Sequence, residues 1–382
     1  MSVRRAHLIA AVLGVSSVLS ETAAAQVAPT DSTPRVSIGA FVDSYFAWDF
    51  GRPPSFDRSF AGGAVFTTQP ARHNEFNVNL AFVEIKLDAP HYRGRLALQT
   101  GTSVASNYAS EPTTGTVSGP SLSRIIQEAV VGVQVARNLW VDAGVFFSHI
   151  GMEGWISRDN PIYTRSLVAE YSPYYQSGAK LTWTPSRFVT AQVDVVNGWQ
   201  NIAENNQGKG VGMRVDVTPD EGTTLSYFNL FTPENGARLR TLNGVGLKRT
   251  HGAFTVLTEF DIGTQAHNDR TGTRSGWAGW TLVARAQSTP QVAFTGRLEG
   301  FRDPDGVIVA TGAVRDGNRL TVNPPFRGLG ASVGADVTPY PHVLWRSELR
   351  AWQNDAAVFP NGRAGSPIRS NAMVVTSLAL SF

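Results

Sequence analysis

The sequence predicts an all-β fold, a transmembrane antiparallel β-barrel of about 16 strands, and three observations carry that prediction. Period-2 alternation of apolar and polar residues recurs from Val36 to the end, with little helical periodicity. The connections between the alternating segments run strictly long, then short. The chain also stops inside an alternating strand, with Ala372, Val374, Thr376, Leu378, Leu380 and Phe382 on one parity. A soluble domain usually ends in a frayed polar tail.

The first element is a leader. Met1 to Arg5 is basic, Ala6 to Leu19 is mostly apolar, and Ala23-Ala24-Ala25 forms a small-residue cleavage site before Gln26. This order predicts a signal peptide over 1–25, because the apolar stretch is too short to cross ~30 Å of hydrocarbon. A short segment, 26–35, leads into one barrel domain over 36–382. After the leader no run approaches the ~18–20 apolar residues of a spanning helix, but barrel strands cross with about ten alternating residues. The chain has no cysteine, so an exported protein of this size needs another brace, which a closed ladder supplies. Losing Arg4, Arg5 and Glu21 leaves 31 basic and 29 acidic residues, a near-balance that argues against a nucleic-acid partner.

Sixteen strands follow, at about 36–48, 75–88, 91–104, 125–136, 139–148, 175–184, 187–197, 208–218, 222–232, 241–250, 253–263, 276–287, 290–302, 327–338, 341–352 and 371–382. In the second, Phe76, Val78, Leu80 and Phe82 share parity with Glu84 and Lys86, which predicts a bulge or phase slip. Short connections such as Arg137-Asn138, Thr184-Pro185-Ser186-Arg187 and Thr338-Pro339-Tyr340-Pro341 carry turn chemistry. The long ones are about 49–74, 105–124, 149–174, 198–207, 233–240, 264–275, 303–326 and 353–370. Long loops on one rim and tight turns on the other fit short periplasmic turns and long extracellular loops. Greek-key crossovers would scatter the long connections to both ends. Trp48, Trp199, Trp277 and Trp352 fall toward the loop rim, and Trp140, Trp183 and Trp345 toward the turn rim, as two interfacial girdles would.

If Leu96, Leu98, Val193, Val215, Leu298 and Leu349 face lipid, the opposite parity faces a lumen. That parity carries Arg93, Arg95, Glu128, Asp194, Arg214, Asp216, Arg285, Arg297, Glu299, Arg346, Glu348 and Arg350, with Gln99, Asp142, Lys180, Glu259, Asp261 and Asp336. A charge on the lipid face costs roughly 2–4 kcal/mol near the midplane, so its confinement to one parity is required. A lumen so lined holds water, unless the charges pair into a network that fills it. The third long connection carries Glu153, Arg158, Asp159, Arg165 and Glu170 among aromatic residues. It reads either as a surface loop or as a constriction whose two charge signs screen solutes.

Catalytic patterns are absent in context. Gly330-Ala331-Ser332-Val333-Gly334 matches G-x-S-x-G but lies inside an alternating strand, not at a strand-to-helix elbow. Ser148-His149 and His73 with Glu75 are isolated pairs, and no P-loop, H-E-x-x-H or cysteine cluster occurs. No enzyme, cofactor or metal is indicated.

The runs FTTQPARHNEFNVNLAFVE (66–84), RGRLALQTG (93–101) and QEAVVGVQVARNLWVDAGVFFSHIGMEGWISRDNPIYTRSLVAEYSPYYQSGAKLTW (127–183) resemble the OmpL-like outer-membrane β-barrel porin family. The terminal Phe382 is similar to the end of the sorting strand that directs such barrels to their assembly machinery. The resemblance implies a porin in the outer-membrane lipid of a Gram-negative-type cell and supplies no defined ligand residues. By analogy with sixteen-stranded porins a homotrimer is expected; in those porins the third loop folds into the lumen, and here 149–174 reads either that way or as a surface loop. The expected function is a water-filled channel for passive diffusion of small hydrophilic solutes or ions. The alternative is a non-conducting barrel that acts through its loops, as an adhesin or envelope structural protein.

Overall fold

Alternation along the chain becomes strands, and the strands close on themselves. The computed structural model describes residues 33–234, 238–266, 274–362 and 365–382. The signal peptide expected over 1–25 and most of the 26–35 segment lie outside the described residues. In chain order the strands are β1 (Arg35–Asp49), β2 (Phe76–Asp88), β3 (Tyr92–Thr100), β4 (Ile126–Ala136), β5 (Leu139–Phe147), β6 (Tyr175–Ser186), β7 (Val189–Val196), β8 (Gly210–Asp220), β9 (Thr223–Glu234), β10 (Arg238–His251), β11 (Phe254–Ala266), β12 (Arg274–Gln287), β13 (Val292–Asp303), β14 (Ala313–Asp316), β15 (Arg319–Val322), β16 (Phe326–Val337), β17 (Val343–Asn354) and β18 (Ser370–Ser381). Sixteen of them form one closed antiparallel barrel, while β14 and β15 make a separate hairpin in the connection from β13 to β16.

The seam joins β1 to β18, with Phe41 opposite Ser381 and Asp49 opposite Met373. Past the last strand residue, the Phe382 N–H donates to the Ala40 carbonyl at 3.0 Å, and the Ala40 N–H donates back to the Phe382 carbonyl at 2.6 Å. The ladder therefore satisfies the backbone to the chain end, as a spanning wall requires.

Burial follows the period of two. Leu96, Leu98, Val193, Leu298 and Leu349 are exposed on the outer face, whereas Gln99, Asp194, Arg297, Glu299 and Arg350, on the other parity, are buried. The phase slip in the second segment is a bulge: Asp43 pairs with Leu80 and Ser44 with Val78, which leaves Asn79 as the extra residue. On one side of it Phe76 is exposed, and on the other Leu80, Phe82 and Glu84 are buried. Gly101 packs against this bulge at φ +136°, where a Cβ would lie 2.3 Å from the Asn79 carbonyl oxygen. Only glycine fits there. The chain leaves the wall at this point, so the strand expected over 91–104 ends at Thr100, and 102–107 is a short helix instead.

Two other expectations are corrected. The long connection expected over 233–240 is mostly strand, because β9 runs to Glu234 and β10 begins at Arg238, with Pro233 opposite Leu239. Near a rim the missing proline N–H costs the ladder little. The tryptophan levels stand, but the loop-rim tryptophans do not all face outward: Trp48 shares the outward parity of Val374, and two others do not. Trp183 and Trp345 are exposed outward at the turn rim, whereas Trp277 and Trp352 at the loop rim are each only 3% exposed. Those two join an apolar core inside the loop end of the barrel, with Phe228, Leu230, Leu242, Phe326 and Val375 from the wall and Phe60, Phe66 and Phe359 from loops. Phe66 meets Trp352 edge-on at 4.9 Å between centroids, and Trp199 meets Trp277 at 6.0 Å.

Candidate functional site

The connection from β5 to β6, residues 148–174, is a strap that crosses the lumen and bonds to the wall on many sides. The Arg214 guanidinium donates to the carbonyls of His149 (2.9 Å) and Gly151 (2.7 Å). Next, the Met152 N–H donates to Glu259 at 2.6 Å. Ser157 donates to Asp43 at 2.8 Å, and Arg346 reaches the carbonyls of Ser157 (2.6 Å) and Asn160 (2.9 Å). Arg285 takes the Pro161 carbonyl at 3.0 Å. Glu348 accepts both the N–H and the hydroxyl of Thr164, at 2.8 and 2.7 Å. Arg297 donates to the Thr164 carbonyl at 2.5 Å, and Arg350 to that of Arg165 at 2.8 Å. Glu299 closes the series by accepting from the Leu167 N–H at 2.6 Å. An irregular segment has no ladder of its own, so these wall charges satisfy its buried backbone groups.

Within the strap, the expected constriction residues divide. Glu153, Arg165 and Glu170 are buried. Glu153 accepts from the Ser166 N–H at 3.0 Å. The Arg165 guanidinium lies 3.5 Å from Glu170 and over the rings of Tyr174 (4.1 Å) and Trp155 (4.8 Å). Arg165 and Glu170 both also bond Thr68 of the first loop. Arg158 and Asp159 keep contact with water, with Arg158 donating to Ser381 at 2.6 Å near the seam.

The twelve wall charges divide in the same way. Arg297, Glu299, Arg346, Glu348 and Arg350 face inward but meet the strap and one another: Arg297 to Glu348 is 3.0 Å and Arg350 to Glu299 is 2.6 Å. Glu128 pairs with Arg95, and Asp194 lies 2.5 Å from a ring nitrogen of His149. On the other wall the side chains of Arg93 and Arg95 remain 36% and 23% exposed, against 0% for Arg297 and Arg350. Arg214 and Asp216 of β8 are also partly exposed, and so is Arg285 of β12 on the strap's side.

Glu84 and Lys86 belong with these residues although the alternation hid them. Glu84 accepts from Arg95 at 2.9 Å and lies 3.0 Å from Lys86. The bulge at Asn79 is the signal that could have placed them inward. The serine of the G-x-S-x-G match, Ser332, accepts from Arg297 at 2.9 Å and is part of the strap anchor. The His149 ring is held by the Asn229 carbonyl (2.8 Å) and by Gln176 (3.1 Å) rather than by a serine. Among the described residues no cluster of His, Asp or Glu could hold a metal ion.

A closed sixteen-strand wall with its third loop folded inward is the geometry of a porin. Residues 35–382 match the family described as "Putative beta-barrel porin-2, OmpL-like". The chain belongs to this family. Solved structures resemble this OmpL-like porin in fold. The outer membrane channel DcaP of Acinetobacter baumannii is 9% identical with a TM-score of 0.59, covering 92% of this chain and 99% of the other. The anion-selective porin from Comamonas acidovorans is 8% identical with a TM-score of 0.57, covering 92% and 100%. The trimer form of the Vibrio cholerae outer membrane protein OmpT is 6% identical with a TM-score of 0.54, covering 91% and 99%. No curated protein matches the chain in sequence.

Proposed function

We propose that this porin is a passive channel in the outer membrane, through which small hydrophilic solutes diffuse between the strap and the wall formed by β2 to β8. One observation carries the reading. Three cations of that wall, Lys86, Arg93 and Arg95, keep a substantial part of their surface open to water, while Arg297, Glu299 and Arg350 of the opposite wall are sealed against the strap. Paired charges of both signs along an aqueous path favour small polar solutes over apolar ones. Export through a cleaved leader, delivery to the barrel assembly machinery through Phe382, and a homotrimer complete the proposal. The trimer draws support from the trimer form of OmpT, which shares the fold.

The density of the strap's bonds and the aromatic core at the loop rim favour a second reading, a barrel closed to solutes that acts through its loops. Reconstitution in a planar bilayer separates the two. Folded protein is expected to give stepwise ion conductance. A barrel verified as folded that passes no current sinks the channel reading.

A further inference from the structure

At the loop-side mouth, above the strap, lies a cavity of about 400 Å³. Its walls come from the first loop, the helix 102–107, the strap, the connection from β7 to β8, and the rim ends of β9 and β10. Its size is within the range of small-molecule sites, about 300–1,000 Å³, but its lining is unusually polar for one.

Two buried amide nitrogens in that lining have no hydrogen-bond partner, Asn107 Nδ2 and Asn201 Nδ2, while Glu170 Oε2 faces the Arg165 Nε at 3.5 Å. Both asparagines are 8% exposed. Two unpaired donors beside one polar cavity are groups that a ligand could satisfy. Glu170 adds an acceptor to these donors. Hydroxyl groups answer both, since each donates once and accepts twice. Trp199 adds an aromatic surface to the cavity. Its backbone N–H is fixed by Glu234 at 2.7 Å, and the Arg240 guanidinium lies 5.1 Å from its ring. Such a surface suits the apolar C–H face of a sugar ring.

Charge does not favour an ion. Glu170 faces Arg165 at 3.5 Å, and Glu234 and Arg240 line the same cavity with opposite signs. We therefore propose that this cavity is a binding subsite for a neutral, polyhydroxylated solute, a mono- or disaccharide, held by Asn107, Asn201, Glu170 and Trp199. The proposal rests on the porin reading for its biological sense but not for its test.

Binding is measured on the full folded protein in detergent, by saturation-transfer NMR and calorimetry, with glucose and maltose as probes and arginine and glutamate as charged counterparts. At least one sugar is expected to bind saturably, and both charged solutes to bind at least about tenfold more weakly. Loss of one hydrogen bond is on the order of tenfold in affinity, so Asn107→Ala and Asn201→Ala should each weaken the sugar by about that factor. Retained β-sheet circular dichroism and barrel mobility on gels confirm that each variant is folded. No saturable sugar binding to folded wild-type protein overturns the proposal, as does undiminished binding by the folded double variant. Because the readout needs no current, a barrel that binds sugar without conducting refutes the channel and leaves the subsite. One that conducts without binding does the reverse.

Discussion

The two walls of the lumen carry the same residue types on the same parity, yet they do different work. From β11 to β17, Arg297, Glu299, Arg346, Glu348 and Arg350 are buried, and nearly every polar atom they offer is spent on the strap or on one another. From β2 to β8, Lys86, Arg93 and Arg95 pair with Glu84, Asp142 and Glu128 but stay partly in water. The difference is the strap, which seals the charges of β13 and β17 and leaves the cations of β2 and β3 partly in water, although it also bonds Arg214 of β8. A lumenal charge is therefore a structural anchor or a part of the aqueous path according to what faces it across the barrel.

That contrast can be broken in three places. Arg297→Ala removes a cation from the buried group around Glu348 and Thr164 and should cost about 3–5 kcal/mol, as breaking buried pairs does. Thermal unfolding followed by gel mobility measures the loss, and a loosened strap should raise single-channel conductance. Unchanged stability would mean that this wall is not an anchor. Arg95→Gln leaves the buried Glu128 without its cation, so it should cost about 1–3 kcal/mol and move the reversal potential toward cations. Lys86→Gln should shift selectivity the same way at a cost within about 1 kcal/mol, since Glu84 keeps Arg95. A selectivity shift from Arg297→Ala as large as that from Lys86→Gln would erase the distinction between the walls.

The smallest effect is expected outside both walls. In the first loop Arg72 donates to Glu75 at 2.9 Å, and this bond holds the Glu75 carboxyl below the usual carboxylate range. A depressed folded value stabilises above the ordinary carboxylate range, and the benefit is lost as pH falls through the lowered value. Arg72→Ala should thus cost no more than about 1 kcal/mol at neutral pH, and the difference from wild type should vanish in acid. Melting curves at the two pH values check it.

Most of the wall was legible in the sequence because period-2 alternation is a local signal. Val193 and Asp194 declare their faces from adjacent positions, and the shared parity of Leu80 and Glu84 announced the bulge. The strap's path was not legible. Nothing near Thr164 in sequence says that Arg297 and Glu348 will bond it, since those partners lie more than a hundred residues away. Trp277 and Trp352 misled for the same reason. Their rim level follows from strand length, but their inward packing depends on Trp199 and on the loop residue Phe66. Asn107 and Asn201 had no local signature, since each reads as an ordinary loop amide until the cavity between them exists.

The seam between β1 and β18 sets the order of events when the barrel is made. All other neighbouring strands of the wall are consecutive in the barrel's sequence, so each can pair as soon as it is available. The bonds between Ala40 and Phe382 must wait until every strand from β1 to β18 is made. Until then β1 presents an unpaired edge, the kind of surface on which chains aggregate. The Phe382 pairing therefore acts on time as well as on shape: it closes the interval in which an unfinished barrel must be kept from its copies.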